Sequence, residues 1–379
     1  MSRLEELDAL RAAWNRLLAA SASDSIFLSP DWSVSWWEAY GEKKELEVLL
    51  FYREQLLVGI APLYRTRSLG LFPLRSLHLV GDGSGDSDYL DLIAARGEEE
   101  PVACSLLGYL KTNGGPWHVL ALNEVPSGSP ILAAVKADAD RRGLLIVEHR
   151  VPCTYVELPT SWDAYLADLK PRMRTKVRSL LKKLASDSRL SFRVLDDVAL
   201  IDEWLEDLYR FHEARWRLEG QPGVFGLPGK RDFYRRLTAR LLTSGLLRFY
   251  GLFRDGTPIA LQYCFAWRDR VLLLQEAFDP AYVEEGVGNM LRARVFQDCV
   301  ENKVAVYDFL AGATQHKQLW GGAVKHTSRL VIGNRRLRAA THIYSPVVKQ
   351  RLKDALKRVL PRPLLDKLQQ RRAEKSRRA

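Results

Sequence analysis

Two short stretches hold residue types that can do chemistry together. In VYDFLAGATQHKQLW (Val306–Trp320) a strand-like apolar run carries one acid, Asp308, and crosses Gly312 into a polar turn. That turn presents His316 and Lys317 just before Trp320. Upstream, Gly286-Val287-Gly288-Asn289 separates an apolar run from an amphipathic one. A turn that opens a helix leaves backbone N–H groups unpaired at the positive end of the helix dipole, which suits a pyrophosphate. Glu284 and Glu285 would repel that group if they pointed inward. His212 and Arg215 lie one turn apart, at i and i+3, and either line an acceptor pocket or serve in capping and packing. Glu276, inside the run RVLLLQEAF, is either a general base for an acceptor's proton or a solvated acid on the pleat. No Ser-His-Asp order and no HExxH motif favours a hydrolase. The four cysteines (Cys104, Cys153, Cys264, Cys299) form no CxxC pair and lack histidines at metal spacing, so reduced structural thiols and no metal are expected.

The elements that must position these residues are legible in outline. With 379 residues, 47% hydrophobic and 27% charged, the chain is large enough for two folded domains. From Arg270 the order is strand, loop, helix, strand: RVLLLQEAF, DPAYVEEGVGN, NMLRARVFQDCVEN and KVAVYDFL. Such a unit needs parallel pairing with a right-handed crossover. Two hairpin patterns resemble one another, LEVLLFYREQLLVGIAPLYR from Leu46 and LRFYGLFRDGTPIALQYCFAW from Leu247, the second with an Asp-Gly turn. Helices precede each, at Pro30–Tyr40 after the cap Ser29, and at 200–219 and 232–243. The repeated order predicts duplication of one α+β unit, with the boundary near residues 150–165. Lys170–Leu184 holds seven basic residues and no acid, with Met173, Val177, Leu180, Leu181 and Leu184 on one helical face. It reads as a surface helix with a solvated basic side, or as a wall facing phosphate.

GDGSGDSDYLD places Asp82, Asp86, Asp88 and Asp91 among glycines and serines. It lacks the glycine and final glutamate of an EF-hand, so a polar turn leading into a strand is expected. The net charge of +11 is concentrated at the end: from Lys349 to Ala379, twelve Lys/Arg face three Asp/Glu, and the body is nearly neutral. VVKQRLKDALKRVL forms a basic amphipathic pattern stopped by Pro361. It suits an anionic lipid surface, or packing on the body with a solvated end. Nucleic acid ranks below these, because no aromatic follows Tyr344 to stack on bases. No run approaches a membrane span, and MSRLEELDALRAAW lacks a signal-peptide core, so the expected location is cytoplasmic, with peripheral contact at the inner face of the membrane.

Several stretches carry a resemblance: FHEARW (Phe211–Trp216), Gly223 with Phe225, DGTPIALQYCF (Asp255–Phe265), FDPAYVEEGVGNMLR, and YDFLAG…HKQLW. FLSPDWSVSWWEAY and GDGSGDSDYLDLI match more loosely. The chain resembles the GNAT acetyltransferase superfamily over most of residues 25–340. It is most similar to the branch of cellulose and exopolysaccharide biosynthesis acetyltransferases, relatives of the Fem-type peptidyltransferases.

The resemblance implies an α+β fold of tandem GNAT-like acyltransferase domains, mixed sheets flanked by helices, with a basic C-terminal helical tail. The units are 1–155, 156–345 and the tail 346–379. It further implies that strands 270–278 and 303–310 splay around the pantetheine of acetyl-CoA or another acyl-CoA, with pyrophosphate on the loop 283–289 (Gly286, Val287, Gly288, Asn289). Val283 stands where that loop usually begins with Gln or Arg, and His316 stands where a tyrosine precedes the retained Lys317. In the family pattern Lys317 stabilises an oxyanion or holds a cofactor phosphate. Asp308 orients the acceptor amine or pairs with Lys317, or the two form a structural ion pair. Asp88 and Tyr89 border the inter-domain cleft. From the residues themselves, Arg215 and His316 are the further acceptor-side candidates and His212 and Glu276 those for proton transfer, with His316 alternatively a proton-transfer residue or simply exposed in its loop. The expected activity is acyl transfer to an amine or hydroxyl of a sugar-type or lipid-linked acceptor, in extracellular polysaccharide or envelope biosynthesis. The alternatives are a Fem-like transferase dependent on aminoacyl-tRNA, and a non-catalytic scaffold.

Overall fold

The computed structural model describes residues 3–68, 73–218, 220, 223–334 and 339–341. The first half runs α1 (Leu4–Ala20), α2 (Pro30–Tyr40), β1 (Glu45–Arg53), β2 (Leu56–Arg67), β3 (Arg75–Leu79), β4 (Ile93–Ala94), α3 (Glu99–Thr112), β5 (Val119–Pro126), α4 (Pro130–Arg141) and β6 (Leu145–Glu157). The second half runs α5 (Trp162–Asp168), α6 (Pro171–Ser186), β7 (Leu190–Val194), α7 (Ile201–Leu218), α8 (Lys230–Thr243), β8 (Leu247–Arg254), β9 (Thr257–Trp267), β10 (Arg270–Phe278), α9 (Val287–Glu301), β11 (Val306–Ala311), α10 (Gln315–Gln318) and β12 (Ala323–Gly333). The basic tail at 346–379 lies outside the described residues.

Local chemistry starts and stops these elements. Ser29 caps α2 by accepting the Trp32 N–H, and Pro30 at the first helical position loses no helix bond. Ser129–Pro130 does the same for α4. The Asp255-Gly256 turn has positive φ at both residues, 48° and 80°, as a two-residue hairpin with the native strand twist requires. On α6, Met173 and Val177 are buried and Leu180, Leu181 and Leu184 are packed against the core. Lys170, Arg172, Lys176, Arg178 and Lys182 are exposed.

The mixed sheets of the two halves join edge to edge. The strand order is β1-β2-β3-β5-β12-β6-β11-β10-β9-β8-β7, with β4 on β2. Outward from the β12–β6 pair the pattern of pairing is the same on both sides, and β7 adds one strand beyond β8. β3 pairs parallel with β5, and β10 pairs parallel with β11, while the neighbours on either side are antiparallel. β12, from the end of the second half, pairs with β5, and β6, from the end of the first, pairs with β11. The halves have exchanged their last strands around β6–β12, and the division expected at 155/156 falls inside β6. They also share a core. Trp32 on α2 packs edge-on against Phe233 of α8 and Phe265 of β9, both at 5.4 Å. A second apolar cluster lies under α6 and α9, where Tyr165, Phe296, Tyr307 and Trp320 are fully buried. Among the described residues no helix is long and apolar enough to cross a membrane.

Candidate functional site

The site begins where two parallel strands part. β10 and β11 pair only through Arg270–Val306, Val271–Tyr307 and Leu272–Asp308. Beyond Leu272 the β10 strand bulges at Leu274 and stays with β9. β11 bulges between Asp308 and Ala311 against β6, with Leu310 at φ 59°. Both bulges lie just past the last shared pair, and the strands part there: Gln275–Phe278 stay with β9, and Ala311 pairs with β6. The second strand begins at Val306, because 303–305 belong to the turn after α9.

At the open end of β10, Pro280–Glu285 forms 3-10 structure kinked at Tyr282, and Gly286, at φ 68°, caps α9. Val287, Gly288 and Asn289 are therefore the first turn of the helix, and their N–H groups have no carbonyl within it. Val287 is buried, and a Cβ on Gly288 would lie 3.0 Å from Phe278. This close packing of helix on strand leaves the backbone to face the gap. Glu285, expected to repel phosphate, is tied down by Arg254 at 2.8 and 2.7 Å and by Lys183 of α6 at 2.7 Å. Those hydrogen bonds hold its carboxyl down to about 2. The loop thus presents donors with its nearest acid neutralised.

Three residues fill the gap beside this turn. Arg292, on the second turn of α9, is buried and stacks over Phe309 and Trp320 at 5.3 and 5.4 Å. It forms an ion pair with Glu276, whose other oxygen accepts from Gln262 at 3.1 Å. Gln262 in turn accepts from the Tyr307 hydroxyl at 3.1 Å. Burial pushes the Glu276 carboxyl up, but Arg292, with His316 and Arg215, outweighs it and holds the group below its ordinary value. Glu276 is thus a paired carboxylate, held by Arg292 and Gln262. His316 meets Arg292 through Nδ1 at 3.2 Å and Asn289 Oδ1 through Nε2 at 3.2 Å. A neutral ring that donates from Nε2 and accepts at Nδ1 satisfies both contacts. Burial and the Arg292 charge lower its pKa, in keeping with that state.

The expected Asp308–Lys317 pair does not form. Asp308 is fully buried and pairs with Lys325 of β12 at 2.7 Å. Its other oxygen accepts from the Tyr89 hydroxyl at 3.0 Å and from the Leu310 N–H at 2.8 Å. Lys317 instead donates to the carbonyls of Phe309 at 2.9 Å and Ala311 at 2.6 Å, which uses two of its three hydrogens. Burial lowers its pKa against the opposing pull of Asp88, Glu276, Cys153 and Asp308. Asp88 accepts from the Ala311 N–H at 3.3 Å. Burial raises its carboxyl to about 7, with Glu124 and Asp308 adding to the rise and the Ala311 N–H and Lys317 opposing it. A carboxyl balanced near neutrality beside a lysine is the arrangement general acid–base chemistry needs.

The helix pair differs from the expectation as well. His212 is buried, and its Nε2 accepts from Trp216 Nε1 at 2.8 Å, at i+4, where Arg215 at i+3 was expected. Burial first, then the Arg215 charge, lowers its pKa to about 4, so it is neutral at physiological pH. The acids of GDGSGDSDYLD each go to a different partner. Asp82 bonds His78 and Asn123, Asp86 pairs with buried Lys230 at 2.5 Å, and Asp91 accepts from Ser23 and Ser129. Among the described residues no group of three or more His, Cys, Asp and Glu is arranged to hold a metal, and the four cysteines are free thiols. Arg292 and Lys325 went unread in the sequence. The one signal for Arg292 was an arginine on the apolar side of an amphipathic helix.

Residues 171–318 match the family model described as acetyltransferase (GNAT) domain. The crystal structure of FemX superposes with a TM-score of 0.62 at 10% identity, covering 90% of this chain and 98% of that one. A protein of unknown function from Bacteroides thetaiotaomicron superposes at 0.57, with 13% identity and coverage of 88% and 98%. The C-terminal domain of a putative lysylphosphatidylglycerol synthetase from Agrobacterium fabrum does so at 0.50, with 10% identity and coverage of 90% and 97%. At these identities the likeness is one of fold. No curated protein sequence matches the chain.

Proposed function

We propose that this chain, whose residues 171–318 carry the GNAT acetyltransferase domain, moves an acyl group from acetyl-CoA or another acyl-CoA to an amine or hydroxyl. The carrying observation is the parting of β10 and β11 after Leu272–Asp308, with Lys317 and Asp88 both hydrogen-bonded to the Ala311 backbone at the end of β11 and the first turn of α9 at the end of β10. The donor's pyrophosphate is held by the N–H groups of Val287, Gly288 and Asn289, and its pantetheine lies between the strands. The acceptor's nitrogen or oxygen attacks the thioester carbon directly, and its proton passes to Asp88. The third hydrogen of Lys317 meets the oxyanion as charge develops. As the new C–N or C–O bond is completed, the C–S bond breaks, and the thiolate leaves and takes a proton from water. Glu276 and His316 position Arg292 and Asn289 around the donor, and Asp308 fixes the bulge that brings the Ala311 N–H to Asp88. His212 and Arg215, on α7, line the acceptor side.

A sugar-type or lipid-linked acceptor, in extracellular polysaccharide or envelope biosynthesis, fits the resemblance read from the sequence. The likeness in fold to FemX and to a putative lysylphosphatidylglycerol synthetase is compatible with an envelope setting. The basic tail suits the anionic inner face of a membrane. A second reading, transfer from aminoacyl-tRNA, is favoured by four exposed cations of α6 and Lys170 at its cap, with no acid within the helix. A thermal-shift titration with acetyl-CoA and desulfo-CoA separates the two. Saturation at about a hundredfold Kd stabilises the native state by roughly 2.7 kcal/mol. The shift is expected for both ligands and is lost in Asn289→Asp, which keeps the oxygen facing His316 and adds a negative charge at the phosphate turn. No shift with either ligand would overturn acyl-CoA use and turn attention to aminoacyl-tRNA.

A further inference from the structure

A second cavity lies away from the transfer gap, beyond the closed end of the β10–β11 pair. Its volume is about 480 Å³, and both halves build it. The segment Ser21–Ile26, Tyr89, Arg96 and Pro126 come from the first half, and Trp267–Arg270, Leu272, Lys325 and His326 from the second. Consecutive residues separate the two sites. Asp88 turns to the Ala311 N–H, while Tyr89, at φ 48°, turns to Asp308 and Lys325 and lines the cavity.

The charges around this cavity do not cancel. Arg96, Arg268, Arg270 and Lys325 line it against Asp24 and Asp269. Asp24 is already engaged, by Arg268 at 2.7 Å and by the Trp267 indole at 3.0 Å. Asp269 and Arg270 stand 3.6 Å apart, and both are more than half solvated or nearly so, at 61% and 50% exposure. Lys325 is committed on one side to buried Asp308 and lies 4.3 Å from the centre of the Tyr89 ring, with 31% of its side chain exposed. The charge offered to a ligand therefore comes from Arg96 and Arg270, with Lys325 at the floor. Ile26, Leu272, Pro126 and the face of Trp267 supply apolar wall, which suits an organic molecule better than a bare ion. Paired guanidinium groups recognise phosphate and carboxylate through planar, two-point hydrogen bonding.

We propose that this inter-domain cavity is a binding site for a small organic anion, gripped at its phosphate or carboxylate by Arg96 and Arg270. The site is independent of which donor the transfer gap uses. Inorganic pyrophosphate is the probe, titrated calorimetrically into the full chain, into Arg96→Gln/Arg270→Gln and into Asn289→Asp. Both arginines are exposed, so the double variant keeps the fold, and unchanged thermal unfolding checks this. Binding at least tenfold weaker in the double variant, and retained in Asn289→Asp, is the expected result. Equal affinity in wild type and the double variant, or binding lost only in Asn289→Asp, would place the anion elsewhere and overturn the proposal. Absence of pyrophosphate binding by the wild type would overturn it too.

Discussion

Replacing Asp88 by asparagine tests the site at its most perturbed acid. Burial lifts its carboxyl from 3.8 to about 7, with Glu124 and Asp308 contributing and the Ala311 N–H and Lys317 resisting. The unfolded chain gives up this proton near pH 4, whereas the folded chain keeps it until about pH 7. Stability from this group is therefore greatest on the acid side, falls as the pH rises through that window, and is level above it. At about 1.36 kcal/mol per pH unit the whole window amounts to at most about 4 kcal/mol, and about 2–3 of that falls between pH 5 and pH 8. Asparagine keeps an oxygen for Ala311 and removes the titration. Urea denaturation of both proteins at several pH values should show the variant gaining on the wild type as the pH rises. Under the proposed mechanism the same change removes the proton acceptor. Wild-type kcat/KM should rise about tenfold per pH unit below 7 and then level, while the variant is slower by about 10²–10⁴ and loses that limb. Stability curves that stay parallel, or an acid limb that persists in the variant, would refute the reasoning.

Three further outcomes follow from the packing. Arg292→Met leaves Glu276 in the gap without its cation and should cost about 3–5 kcal/mol, and Glu276→Gln added to it should restore much of that in chemical denaturation. Asp91 accepts from Ser23 at 2.5 Å, Ser129 at 2.6 Å and the Leu92 N–H at 2.9 Å, so Asp91→Ala should destabilise by roughly 1–3 kcal/mol by leaving those donors unpaired. Trp32→Ala empties the contact with Phe233 and Phe265 that joins the halves, for about 3–5 kcal/mol, and calorimetry should still show one transition because both halves share that core.

What the sequence disclosed was local. Ser29-Pro30 and Asp255-Gly256 announce a helix start and a hairpin through side-chain capping and positive φ, and both are found where the pattern put them. The amphipathic face of α6 was legible because its apolar spacing is helical over the whole segment. The duplication was legible as a repeated hairpin, but the exchange of β6 and β12 was not, since pairing between Leu330 and Leu122 depends on no nearby residue. The same distance hid Lys325. Asp308 and Lys317 straddle one turn and invited pairing, yet the bulge at Leu310 turns Asp308 toward β12 and Lys317 toward backbone carbonyls. Asp88 carried no signal of its unusual pKa, because burial between two sheet halves sets it, and burial of a loop aspartate is a property of the assembled fold.

The central claim is that Lys317 and Asp88 stand at a transfer centre, and release of CoA thiol tests it most directly. Thiol appearance from acetyl-CoA is followed with a panel of amino sugars and lipid-linked amines for wild type and Lys317→Ala, beside acetyl-CoA affinity for both. The account predicts turnover in the wild type and loss of at least a hundredfold in kcat for Lys317→Ala, with donor affinity changed little, because that lysine acts on the oxyanion. Equal turnover by the two proteins would contradict it, as would a Lys317→Ala protein that loses donor binding and activity together.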